Sequence, residues 1–388
     1  MNSQVDKLSR LIDGRGTTFL GAGPMSKDCV DVVIELANIF QLPIALIPSR
    51  RQVECETLGN GYVENWSTEE FARYVKNRDK GSNIILSRDH CGPWQIPSKN
   101  SDGSEKTLMQ EMESVKISLQ ADISAGFQII HIDPSLGFKF GLSKMDVHDV
   151  VYELVEFCES IKTEEISYEI GTEEQEFASG DLFQAADELR LILRGLDSRK
   201  LPRPIFFVQQ TGTKVQELRN VGNFDNQLDS KGLLPASVHV PMVLNVCSAE
   251  RIWLKEHNAD YISDEAIRWH PRFGIHAANV APEFGVTETQ ILLGIAQQLK
   301  NEKMIIEFSE RVLVGNRWQK WMLPDSQATD EDKVRIAGHY HFSDEWCKEW
   351  RMELFSLAKA RGIDAHALVI DTLRTSLLRY LVPFGYAK

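Results

Sequence analysis

Short apolar runs rich in β-branched and aromatic residues recur along the chain. They alternate with longer stretches in which apolar residues return every three to four positions. The runs lie at residues 17–20, 43–48, 83–87, 127–133, 166–170, 204–210, 251–256 and 273–278. Most are nearly continuous in apolar residues, the pattern of strands covered on both faces. The 3.6-residue spacing predicts helices over 26–40, 67–76, 107–125, 144–161 and 181–195. Strand and helix alternating in this way imply a parallel sheet, and eight units favour a closed barrel over an open sheet. Residues 222–250 interrupt the rhythm and read ambiguously. Beyond about residue 310 the character changes. Trp318, Trp321, Trp346 and Trp350 are concentrated there, and 364–381 reads as one amphipathic helix before Pro383. The expected architecture is α/β: a (β/α)8 TIM barrel over residues 1–310 with a helical C-terminal appendage, 311–388, packed on it.

Composition narrows the functional classes. Hydrophobic residues make up 43% of 388, which is ordinary for a globular fold. A net charge of −13 argues against a nucleic-acid binder, which needs a basic surface. A few local donors can still hold one anionic substrate. The six cysteines are scattered with no CxxC pair, as in a reducing compartment. Residues 1–15 lack the apolar core of a signal peptide, and no run approaches the roughly 18 apolar residues of a membrane span. A cytoplasmic protein with no membrane partner is expected.

In such barrels functional groups come from the C-terminal ends of strands. The third run ends Ser87-Arg88-Asp89-His90-Cys91-Gly92-Pro93, which puts a carboxylate and an imidazole at the mouth. Asp89 has the chemistry to move a proton and His90 to ligate a metal; a capping Asp with a structural His is the equally weighted alternative. The fourth run ends with His131, Asp133 and Ser135, and the fifth with Glu169 and Glu173. Gln209 and Lys214 end the sixth, His257 follows the seventh, and His276 and Asn279 mark the eighth. Each segment alone is a weak signal, since Asp, Asn and Thr also serve as turn residues. Together they read as one polar mouth.

Asp89-His90-x-Gly92-Pro93, His131-Ile132-Asp133-x-Ser135, Tyr168-Glu169-Ile170-Gly171-Thr172-Glu173 and His257-x-x-Asp260-Tyr261 occur in that order. With these motifs the chain resembles the class II D-tagatose-bisphosphate aldolase family, and most closely its non-catalytic, accessory subunit type. The resemblance implies Asp89 as proton carrier, and His90 and His257 as ligands of a divalent metal, zinc in the family. It also implies Asp133, Ser135, Glu169 and Asn279 around the substrate. Two departures stand out. Where catalytic members have Gly-Thr-x-His-Gly after the sixth strand, this chain has Gly212-Thr213-Lys214-Val215, so a histidine ligand is missing. Where they have a glycine-rich phosphate loop after the seventh, it has His257-Asn258-Ala259-Asp260, without the glycines that let a backbone approach phosphate.

Two functions follow. One is a metal-assisted aldolase or epimerase on a small phosphorylated sugar. In it Glu173, Gln209 or His276 replaces the missing ligand, and Lys214 supplies part of the lost positive charge. The other is an accessory subunit stabilising a catalytic aldolase. A homo-oligomer is expected in either case. A kinase is disfavoured because the chain has no Gly-x-x-x-x-Gly-Lys-Ser/Thr loop. Gly21-Ala22-Gly23-Pro24 reads as a tight turn, and His339-Tyr340-His341 as surface or packing residues away from the mouth. The Arg50-Arg51 pair after the second strand is a candidate partner for a substrate phosphate or carboxylate, with an exposed ion-paired surface as the equally weighted alternative.

Overall fold

The computed structural model describes residues 3–13, 16–97, 99–100, 102–171, 182–225 and 235–387. Eight parallel strands close into a barrel: β1 (Phe19–Ala22), β2 (Ile44–Leu46), β3 (Ile84–Cys91), β4 (Ile129–Ile132), β5 (Ser167–Ile170), β6 (Phe206–Gln209), β7 (Trp253–Glu256) and β8 (Ala277–Val280). Each pairs with its sequence neighbours, and β8 closes on β1 with Gly21 opposite Asn279. All eight apolar runs became strands. The last begins four residues later than its run, because Phe273 still belongs to a helix that ends at Gly274, whose φ is 88°.

Helices α1 (Ser3–Asp13), α2 (Lys27–Phe40), α3 (Thr68–Arg78), α4 (Leu108–Ala125), α5 (Lys144–Ile161), α6 (Leu182–Ser198), α7 (Ala236–Glu250), α8 (Asp264–Phe273) and α9 (Pro282–Gln298) surround the barrel. Several of their starts are dictated locally. The Ser67 and Thr107 hydroxyls accept the N–H of Glu70 and Gln110, whose side chains reach back to the cap backbone. Within the ambiguous stretch Ala236–Glu250 form α7, with Pro241 inside the helix, and residues 226–234 lie outside the described ones.

The barrel interior is filled rather than open. Phe19 and Phe206 stack at 6.5 Å between centroids, and Lys255 of β7 reaches Glu169 of β5 at 2.8 Å, both side chains 1% exposed. The tail forms α10 (Glu302–Val314), α11 (Asp330–Ala337), α12 (Glu345–Ala360) and α13 (Ala365–Leu381). Position 310 falls within α10, and α13 packs on α2 and α9, so tail and barrel share one hydrophobic core. All six cysteines are free and buried. Among the described residues no helix is long and apolar enough to cross a membrane.

Candidate active site

A cavity of about 590 Å3 opens at the C-terminal ends of the strands, within the size range of small-molecule sites. Its floor is built from β3 and β4. Neighbouring residues of a flat strand point to opposite faces, yet Asp89 and His90 both reach the cavity. The register of β3 against β4 shifts between Arg88 and Cys91, and His90 adopts a left-handed φ of 48°. This bulge re-aims one side chain next to the site. Gly92 makes it possible, since a Cβ there would lie 1.8 Å from the Asp133 carbonyl oxygen.

His90 Nδ1 donates to Asp133 Oδ2 at 2.5 Å, and the Gln95 side chain donates to the same oxygen at 2.9 Å. This carboxylate–histidine pairing orients the ring and leaves Nε2 to the cavity. His131 Nδ1 donates to Asp89 Oδ1 at 2.9 Å, while His131 Nε2 is buried without a partner among the described residues. His257, just past β7, sets its Nε2 3.1 Å from His90 Nε2, and the Gln210 amide lies 3.2 Å from its Nδ1. Asp89, His90 and His131 each offer a ligand atom within 4.8 Å of the others.

Electrostatics follow from this geometry. Burial opposes charge on His90, but the Asp89 and Asp133 carboxylates outweigh it and push the imidazole up to about 9. His257 goes the other way, to about 4, through burial and then the neighbouring His90 charge. Burial would raise the Asp89 carboxyl, yet His90 and His131 hold it well below the usual range. Asp133 is held low in the same way, burial being outweighed mainly by His90.

The donor set fits a divalent cation. Two imidazole nitrogens bound to one zinc at roughly 2.0–2.1 Å in tetrahedral geometry stand about 3.3 Å apart. His90 and His257 are within a few tenths of that separation.

The other expected residues divide. Asp133, Ser135, Gln209, Lys214 and Asn279 line the cavity. Gln209 Oε1 and both Asn279 amide atoms are buried there without partners among the described residues. Gly21 is therefore a close-approach residue rather than part of a tight turn, because a Cβ on it would sit 2.3 Å from Asn279 Oδ1. Glu169 lies below the cavity, engaged by Lys255 in the barrel interior. His276 is also misplaced by the sequence reading. It precedes β8 at the opposite end of the barrel, where its Nδ1 accepts from Leu254 N. Glu173 lies outside the described residues. Of the arginine pair, Arg50 is 1% exposed and bound to Glu54, Ser114 and Ser118, whereas Arg51 lines the cavity. Cys91 is buried, and burial pushes its thiol up to about 12, which makes it unreactive.

Two features escaped the sequence reading. His131, expected at the mouth but without a role, bonds Asp89 within the cluster, and the C-terminal tail covers the mouth with Lys320, Trp321 and Tyr340. His339 and His341 are indeed packing residues. They are not remote, however, for the His339 ring lies 6.2 Å from that of cavity-lining Tyr62.

The described parts of the loops after β6, β7 and β8 are held by internal bonds. Glu256 takes the Thr211 N–H at 3.0 Å and the Thr213 hydroxyl at 2.8 Å, and His239 Nε2 donates to Thr211 O at 2.6 Å. Asp260 accepts from Ala281 N and Glu283 N, at 3.1 and 2.9 Å, and so fills the amides at the start of α9.

The eight-stranded parallel barrel is a fold shared with solved structures of other proteins. No family model and no curated protein sequence matches this chain. Solved structures do. A probable tagatose 6-phosphate kinase from Sinorhizobium meliloti 1021 superposes with a TM-score of 0.73 at 16% identity, covering 94% of this chain and all of that one. Fructose-bisphosphate aldolase from Campylobacter jejuni gives 0.56 at 12% identity, over 98% and 94% of the two chains. The fructuronate-tagaturonate epimerase UxaE from Cohnella laeviribosi gives 0.54 at 11%, over 96% and 82%. At these identities the likeness establishes the fold.

Proposed function

We propose that this protein is a metal-assisted aldolase or epimerase acting on a ketose or its phosphate, by moving a proton at the carbon next to the carbonyl. The observation that carries the reading is Asp89, wedged between His90 and His131 with His257 3.1 Å from His90, on the floor of a sugar-sized cavity. His90, His131 and His257, with Asp89 beside them, would hold the cation, and zinc is the first ion to test. Such an ion polarises a carbonyl and stabilises negative charge on its oxygen.

Asp89 is ionised and so begins as a base. Its bond to His131 fixes which lone pair faces the substrate. Asp133 and Gln95 keep the His90 ring in place. Gln209 and Asn279 present unpaired amide atoms, which suit the hydroxyls of a sugar. On this reading the protein is a cytoplasmic homo-oligomer.

The accessory-subunit reading is favoured by Lys214 standing where the family has a histidine, and by Asp260 filling the α9 amides. Metal analysis combined with an aldol-cleavage and epimerisation screen separates the two. One equivalent of metal with turnover, lost by roughly 10²–10⁴-fold in Asp89→Asn, is the enzyme's signature. A metal-free, inactive protein that co-purifies with a catalytic aldolase overturns it.

A further inference from the structure

In many (β/α)8 barrels a phosphate sits on the loops after strands 7 and 8, against the N-terminus of a helix. Here that seat is taken by the chain itself. The Asp260 carboxyl group, which burial and then Glu283 push up to about 8, occupies the Ala281 and Glu283 amides, so those donors are not open to a phosphate.

Positive charge is instead gathered on the β2 loop and the C-terminal tail. Arg51 and Lys320 both line the cavity. Arg51 Nε donates to the Gln95 carbonyl at 2.6 Å, which anchors the guanidinium by one edge. The Lys320 ammonium stands 4.9 Å from the Tyr340 ring centre and 4.8 Å from that of Trp321. Arg317 stands behind, 6.0 Å from the Tyr340 ring and bonded to the Tyr340 carbonyl at 2.6 Å. None of the three cations has a carboxylate partner among the described residues, although the chain carries an excess of acidic groups. The Tyr340 hydroxyl accepts from Trp321 Nε1 at 3.1 Å, so its own hydrogen remains available to donate. Like charges held together without counter-ions disfavour one another, and a bound dianion relieves all of them at once. Crowding by the surrounding protein, and then the Arg51 and Arg317 charges, bring Lys320 down to about 8.

We propose that Arg51 and Lys320, backed by Arg317 and Tyr340, seat the phosphoryl group of the substrate. Side-chain cations thereby replace the backbone amides that Asp260 has taken. The inference rests on the sugar-phosphate reading above and names the end of the cavity where the phosphate lies. A guanidinium fork and an ammonium suit a phosphate dianion. A sugar acid's single negative charge would leave the cluster partly uncompensated.

The test is calorimetric titration of the full chain with inorganic phosphate, and with glucuronate as the carboxylate probe. Phosphate is expected to bind the parent more tightly than glucuronate does. Lys320→Met and Arg51→Met should each weaken phosphate binding roughly tenfold or more, as loss of one charge-assisted contact would. Lys320→Arg should retain binding. Because the ammonium must stay protonated, parent affinity should fall as pH rises from about 7 to 9, against the gain in charge that phosphate itself undergoes there, and that fall should vanish in Lys320→Arg. Thermal melts matching the parent exclude misfolding of the variants.

No saturable phosphate binding, equal affinity in parent and both Met variants, or preference for glucuronate overturns the proposal. Phosphate binding as expected without carbonyl chemistry under any divalent ion supports this seat and removes the enzyme reading. Turnover of unphosphorylated ketoses without phosphate binding does the reverse.

Discussion

His90 Nε2 and His257 Nε2 face each other across 3.1 Å, one from the bulge of β3 and the other from the turn after β7. The two rings have opposite tendencies, His90 raised to about 9 and His257 lowered to about 4. Near neutral pH that asymmetry keeps a proton on His90, opposite an uncharged His257, where the proposed cation would sit. Zinc binding should therefore release a proton near neutral pH. His90→Ala or His257→Ala should lower zinc affinity by more than the roughly 10–100-fold that an outer-shell partner costs. Competition against a chromophoric chelator measures this. Unchanged affinity in both variants would remove the metal site.

Asp133 acts on the cluster from behind. It accepts from His90 Nδ1 and from Gln95, and so selects the tautomer that turns Nε2 to the cavity. Asp133→Asn keeps the shape but lets the ring meet an amide instead of a carboxylate. Metal affinity is expected to fall roughly 10–100-fold with little loss of fold. Wild-type affinity in Asp133→Asn would assign this residue to substrate contact alone.

How much of this was legible follows from what each residue needs. Continuous apolar runs such as 204–210 require only covered faces, so the barrel could be read from pattern. Asp89, His90 and His257 follow strands directly, where barrel geometry places chemistry. His131 was placed at the mouth but given no role in the cluster, because it is a single polar residue inside an apolar run. The signal was present, since strand residues two apart share a face, and Asp133 at the mouth carries His131 with it. Glu169 obeys the same alternation, but its partner Lys255 comes from a strand almost ninety residues later. Nothing local announces that pair. Lys320 and Tyr340 reach the cavity only through tertiary packing of the tail, which no local pattern encodes.

The Glu169–Lys255 pair yields a stability prediction rather than a kinetic one. Both side chains are 1% exposed and joined at 2.8–2.9 Å. Removing one partner strands a buried charge, at a cost of about 3–5 kcal/mol. Lys255→Met should show that loss in urea unfolding. The double variant Lys255→Met with Glu169→Leu should recover most of it, since an apolar pair of similar volume avoids desolvating two ions. If Glu169→Gln instead raised KM without lowering stability, Glu169 would return to the substrate site.

His270 sets a pH dependence unconnected with the cavity. It lies on α8 with no exposed surface, its ring 4.8 Å from Phe224 and 5.6 Å from Phe384. Its Nε2 has no partner among the described residues. Burial brings its folded pKa down to about 4, against about 6.5 in an unfolded chain. Between those values the unfolded chain binds the proton and the native one does not, so stability rises with pH across the window and falls on acidification. The full effect is on the order of 3 kcal/mol, present above about pH 6.5 and gone below about pH 4. His339, lowered to about 3 by burial and then by Lys320 and His341, acts in the same direction. His270→Phe keeps an aromatic ring in the pocket and removes the proton. Urea unfolding from about pH 4.5 to 7 should then give a slope shallower by close to one proton, while the part due to His339 persists. A variant whose acid sensitivity matched the parent's would show that His270 titrates alike in both states.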